Sequence, residues 1–117
     1  MSAVVDVPFE AAPAHVRGWI EVSGIGAAVV LRISGELCTE SRGAIEPAVM
    51  AALASATAVI LDLDELTFCD SHGMAMFVAA GEKAKREGTR LTVRNLRRPV
   101  RRMFEIAGLD GQIQLIE

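Results

Sequence analysis

Two periods alternate along this chain. Val29, Leu31 and Ile33 interleave with Val30, Arg32 and Ser34; Val59, Leu61 and Leu63 with Ile60, Asp62 and Asp64; Leu91 and Val93 with Thr92 and Arg94. A period of two gives each strand one apolar side and one largely polar side. A sheet covered on both faces would read as unbroken aliphatic runs, so the spacing predicts helices on one face, with Arg32, Asp62 and Arg94 on the open side. Elsewhere the period is that of a helix. Ile45, Val49, Met50 and Leu53 form a stripe over residues 39–55, and Val100, Met103, Phe104 and Ala107 form another over 99–107. A run rich in helix formers predicts a helix over 71–87.

Punctuation supplies the boundaries. Ser23-Gly24-Ile25-Gly26 is a turn between strands at 15–22 and 27–34, predicting an antiparallel hairpin. Further strands are expected at 58–63, 90–95 and 112–116. Thr39 is the expected N-cap of the first helix, and Pro47 inside it predicts either a late start near Gly43 or a bend. Gly88 stops the second helix, while Pro99 and Gly108 bracket the third. Residues 1–14, carrying Pro8 and Pro13, are expected to be a flexible arm or an edge strand ahead of a single domain over 15–117. No repeat or low-complexity segment interrupts this order.

Composition narrows the class. A 117-residue chain that is 51% hydrophobic supports one domain, and with four Phe, one Trp and no Tyr its core must be aliphatic. The net charge of −3 argues against a general nucleic-acid binder. Asp6 and Glu10 interrupt the first residues, and no run is long and uncharged enough to span a bilayer, so a soluble cytoplasmic protein is expected. Cys38 and Cys69 make neither a disulfide scaffold nor a zinc site. They read as small buried hydrophobes, or as a redox pair brought together at the ends of neighbouring strands. No glycine-rich phosphate loop is present. Arg94, Arg97, Arg98, Arg101 and Arg102 read as a solvated helix face or a surface for an acidic partner, rather than a nucleic-acid site.

Phe68-Cys69-Asp70-Ser71-His72-Gly73-Met74 is the turn into the second helix. A serine there meets unpaired N–H groups and the positive end of the helix dipole, which would receive a phosphate on Ser71 favourably. Gly73 is expected to leave room for the phosphoryl group. Asp and Ser are also ordinary N-cap residues, so the turn alone permits a purely structural reading.

Several segments in order decide between these. Ile33-Ser34-Gly35-Glu36-Leu37, Val59-Ile60-Leu61-Asp62-Leu63, Leu66 to Met74, Gly88-Thr89-Arg90-Leu91 and Val100 to Leu109 resemble the STAS domain family, and within it the bacterial anti-sigma factor antagonists. The resemblance covers roughly residues 27 to 116. It implies an α/β fold: a STAS-like mixed sheet of about five strands, the first pair antiparallel and the rest mainly parallel, with helices on one face. It implies no enzyme, no catalytic residue, no metal and no cofactor. The implied partners are an anti-sigma factor that is also a serine kinase, and a PP2C-type phosphatase; neither nucleic acid nor membrane is contacted, and the chain is expected as a monomer or weak homodimer. Carried over by position, Ser71 is the phosphoacceptor and Asp70 its motif neighbour. The partner surface comprises Asp70, His72, Gly73 and Met74 with Cys38 and Thr39. Cys38 stands where relatives often carry aspartate, and His72 where they carry serine, threonine or alanine; a further C-terminal helix of many relatives has no counterpart. Single STAS domains also serve as adaptors that bind the ATPase of a lipid-transport system, and others as scaffold subunits of stress-sensing assemblies that carry an added sensory domain.

Overall fold

Among the described residues seven strands form one sheet, with the three alternating segments at its centre. The computed structural model describes residues 4–8, 18–25, 28–111 and 113–116. In chain order these form β1 (Val4–Pro8), β2 (Gly18–Ile25), β3 (Ala28–Leu37), α1 (Thr39–Ser55), β4 (Ala58–Asp62), β5 (Leu66–Cys69), α2 (Ser71–Glu87), β6 (Arg90–Arg94), α3 (Arg98–Ile106), a 3-10 turn (Leu109–Gly111) and β7 (Gln114–Ile116). The strand order is β1-β2-β3-β4-β6-β7. β1, β2 and β3 are antiparallel neighbours; the hairpin between β2 and β3 forms as expected, but Ser23, Gly24 and Ile25 belong to β2 instead of to the turn, Ile25 standing opposite Ala28. All later pairings are parallel, each made through a helical crossover or a loop.

Leu31, Ile33, Val59, Leu61, Leu91 and Val93 form one continuous core with Ile45, Val49, Leu53, Phe77, Ala80 and Phe104 of the helices. The alternation therefore reports a sheet covered by helices on one face. Phe77 and Phe104 meet with ring centroids 4.9 Å apart, tilted by 55°, and join α2 to α3. Such a pair contributes about 0.5–1.5 kcal/mol beyond its buried area. In α3 only Val100 and Phe104 are buried; Ala107, expected on the core stripe, is exposed because the helix ends at Ile106.

β5 was not anticipated, and its origin is geometric. β3 has ten residues, but β4 pairs only with its first half, Ala28 to Arg32. The unpaired edge beyond it is taken by β5, with Gly35 opposite Leu66 and Leu37 opposite Cys69. The register shifts between Gly35 and Glu36, where Gly35 adopts φ 85°, a conformation other residues resist.

The predicted start of α1 also needs correction. The helix runs from Thr39 without a late start at Gly43, and its N-cap is Cys38 rather than Thr39. Ser41 accounts for this: its hydroxyl accepts the Cys38 N–H at 3.0 Å and donates to the Glu36 carbonyl at 2.7 Å. Pro47 lies inside the helix, and both it and Gly43, four residues earlier, are exposed. The residue whose carbonyl loses its intrahelical donor is thus on the exposed side of the helix, where water can substitute.

The expected open side of the sheet is only partly open. Arg32, Asp62 and Arg94 stand in register across β3, β4 and β6. Asp62 is only 3% exposed, whereas Arg32 is exposed and Arg94 half-buried.

Candidate functional site

The end of β3 and the end of β5 lie side by side, and both chains turn into helices there. Cys38 leads into α1, and Asp70 leads into α2. The Asp70 N–H donates to the Leu37 carbonyl at 3.2 Å, continuing the β3–β5 ladder by one step beyond Cys69. Its carboxylate then accepts the Gly73 N–H at 2.9 Å, and its carbonyl accepts the Met74 N–H at 2.9 Å. Asp70 is consequently held from both ends, as ladder member and N-cap.

This places Ser71 at the first position of α2, exposed, with His72 exposed beside it. The Ser71 and His72 amides have no acceptor among the described residues, because Asp70 serves only the third and fourth amides of the helix. Ser71 thus stands where two N–H groups are unused and at the positive end of a 17-residue helix. Arg42 of α1 reaches across, its Nη1 donating to the His72 carbonyl at 3.2 Å. Its other nitrogens hold Glu46: Nε to Oε1 at 3.2 Å and Nη2 to Oε2 at 2.9 Å.

The remaining residues of the expected partner surface divide in two. Thr39 is exposed and Asp70 half-buried, whereas Cys38 (5% exposed), Gly73 and Met74 (7%) are buried. Gly73 does not open space for a phosphate. A Cβ there would stand 2.5 Å from the Leu37 carbonyl oxygen and 2.7 Å from Cys69 Sγ, so the glycine lets α2 approach the sheet. Phe68, the first residue of the same turn, is 50% exposed and three residues from Ser71. The β3–β5 register gives the reason: Glu36 pairs with Phe68 and Gly35 with Leu66, leaving Thr67 as an extra residue. Strict alternation breaks, and both Thr67 and Phe68 are exposed.

Cys38 and Cys69 are free and buried. Burial, then the neighbouring Asp70 and Cys38, push the Cys69 thiol up to about 12. It stays protonated at neutral pH and packs as a small hydrophobe. The arginines at the start of α3 lie elsewhere, around a concavity of about 520 Å³ lined also by Asp64 and Asn95. Arg97 donates to the Asp64 carbonyl from Nε. Among the described residues no group of three or more His, Cys, Asp and Glu converges as a metal site, and no helix is long and apolar enough to cross a membrane.

Residues 20–117 match the family model described as Mlab, STAS domain. The chain belongs to the STAS domain family. Comparison with the curated proteins finds no match. Among solved structures this STAS chain is similar to an anti-sigma factor antagonist from Mycobacterium paratuberculosis, at 31% identity and TM-score 0.73, covering 82% of each chain. It is also similar to the anti-sigma factor antagonist SpoIIAA in its unphosphorylated form, at 22% identity and TM-score 0.71, covering 84% of this chain and 88% of that one. SpoIIAA of Bacillus in the phosphorylated form aligns at 21% identity and TM-score 0.68, over 84% and 91%. At these last two identities the likeness establishes the STAS fold.

Proposed function

We propose that this STAS protein is an anti-sigma factor antagonist whose hold on its anti-sigma factor is switched by phosphorylation of Ser71. The observation that carries the reading is the exposed Ser71 at the first position of α2, beside an Asp70 whose carboxylate is already committed to the Gly73 N–H. A relative at 31% identity is an anti-sigma factor antagonist, which supports the same role here. In this reading the partner is both anti-sigma factor and serine kinase. The Ser71 Oγ attacks the γ-phosphorus of ATP, the bond to the β,γ-bridging oxygen breaks, ADP leaves, and the hydroxyl proton passes to a base on the kinase. The antagonist supplies only a placed hydroxyl, so the catalysis belongs to its partner. A PP2C-type phosphatase returns the free serine by hydrolysis.

Thr39, Thr67, Phe68, Asp70, Ser71 and His72 form the contact surface in this reading, with Cys38, Gly73 and Met74 as its buried backing. A phosphate adds nearly two negative charges next to the apolar Phe68, and a partner covering both would have to strip it of water. Asp70 adds repulsion at short range. Unphosphorylated, the surface captures the anti-sigma factor and frees the sigma factor.

Incubation with the cognate kinase and ATP should add one phosphate, absent in Ser71→Ala, and Ser71→Glu should weaken capture. A chain that no candidate kinase modifies, and that retains a transporter ATPase from its native cell, would instead establish the lipid-transport adaptor.

A further inference from the structure

The α1 and α2 helices pack side by side, with their first turns together at the same edge of the sheet. Arg42, in the first turns of α1, is a cation tied to the start of α2 through the His72 carbonyl next to Ser71. Its guanidinium is shared. One Nη1 bond crosses to α2, while Nε and Nη2 hold both oxygens of Glu46 as a fork. The Arg42 and Glu46 side chains are each 28% exposed. A forked, half-buried pair of this kind yields only to an anion that binds the guanidinium more strongly than a carboxylate does. A phosphoserine carries more charge than a carboxylate and matches the same planar fork. The two amides of Ser71 and His72, unused among the described residues, add donors for an anion at the same helix start.

We infer that Arg42 is the receptor within this chain for a phosphate on Ser71, accepting it in place of Glu46. The inference rests on Ser71 being the phosphorylated residue. Arg42 acts as a positioning residue: it draws the phosphate over the α1–α2 seam and releases the Glu46 carboxylate toward solvent. Phosphorylation then alters the surface at two places, the new dianion and an unmasked Glu46, both negative. Glu40, Asp70 and His72 are the other titratable groups on the first turns of the two helices.

The test uses the full chain with phosphoserine installed at position 71 by genetic encoding, and follows its second ionisation, ordinarily near pH 6, by phosphorus NMR. In the wild-type chain that ionisation should fall below the value for a free phosphoserine peptide. Arg42→Gln should raise it by several tenths of a pH unit, Arg42→Lys should restore part of the drop, and Glu46→Gln should lower it further. A merely structural arginine would leave the phosphorus signal unmoved, so coincident titrations in the wild type and Arg42→Gln overturn the inference. As a check free of substitutions, removing the phosphate enzymatically should shift the Arg42 Nε–H resonance, and a static resonance also overturns it. Because no kinase is needed, failure of the kinase assay defeats the functional reading alone, and an Arg42-independent titration defeats this inference alone.

Discussion

Gly73 decides how closely α2 can approach the ends of β3 and β5. The Leu37 carbonyl and Cys69 Sγ both lie inside 3 Å of where a Cβ would stand, and the carbonyl cannot retreat without breaking its bond from the Asp70 N–H. Gly73→Ala should therefore cost about 1–3 kcal/mol, the usual penalty of overpacking, seen as a lower denaturation midpoint at unchanged slope. Phe68 presents the opposite case. Half of its surface is exposed in the free chain, so Phe68→Ala should leave the melting temperature nearly unchanged. In the proposed complex it is the aromatic anchor, and its loss should weaken capture of the anti-sigma factor by about tenfold or more, measured by titration calorimetry. Equal capture by the variant would move the contact away from β5. Gly73 was recognisable in the sequence as a site residue, but its purpose was not, because the atoms it avoids lie 36 and four residues away. Phe68 was hidden because an aromatic beside Cys69 reads as core until the extra Thr67 is seen.

The strands β3, β4 and β6 carry a polar row that is more structural than its pattern suggested. Asp62 receives Arg94 Nε at 3.2 Å, Asn95 Nδ2 at 3.2 Å and the Asp64 N–H at 3.1 Å, with Arg32 Nη2 at 3.9 Å. Asn95 sits at φ 61°, which asparagine tolerates better than most residues, and its side chain is thereby turned to the carboxylate. Burial pushes the Asp62 carboxyl up, but the Asp64 amide, Asn95 and Arg94 together outweigh it and hold it below its ordinary 3.8. The folded chain therefore releases this proton more readily than the unfolded one. The stabilisation is complete above about pH 4 and is lost as the pH falls through the lowered value. Asp62→Asn should cost about 1–3 kcal/mol at neutral pH. The difference between wild type and variant should shrink on acidification below pH 4 in urea titrations; a difference independent of pH would mean that the carboxylate charge contributes nothing. At the far end of α1, Thr89 plays a comparable joining role, its hydroxyl donating to the Leu53 carbonyl at 2.7 Å.

Taken as one body, the molecule puts both cysteines behind the candidate switch instead of on it. Cys69, raised to about 12 and 5% exposed, should resist iodoacetamide at neutral pH until the chain unfolds. Its alkylation rate, followed by mass, should rise with urea in parallel with global unfolding. Rapid labelling of the native chain would show that the β3–β5 end opens on its own and would revive the redox reading. The same arrangement explains why a partner surface proposed from the motif separates into exposed and buried halves. Ser71, His72 and Thr39 stand on first helical turns at the rim, while Cys38, Gly73 and Met74 fill the gap between helix and sheet.

Periodicity specified the first and third helices, the three alternating strands and the single helix-covered face, since burial on one side leaves its mark at every second or every third and fourth residue. The order of motifs specified the STAS family. Local composition could not announce β5, whose four residues lack an alternation of their own and exist as a strand because β3 outruns β4. Nor could it show that Asp62 is buried, that Gly73 serves packing, or that Arg42 reaches His72 across 30 positions of sequence. Those facts depend on which segments become neighbours, and distances of that kind exist only once the chain has closed on itself.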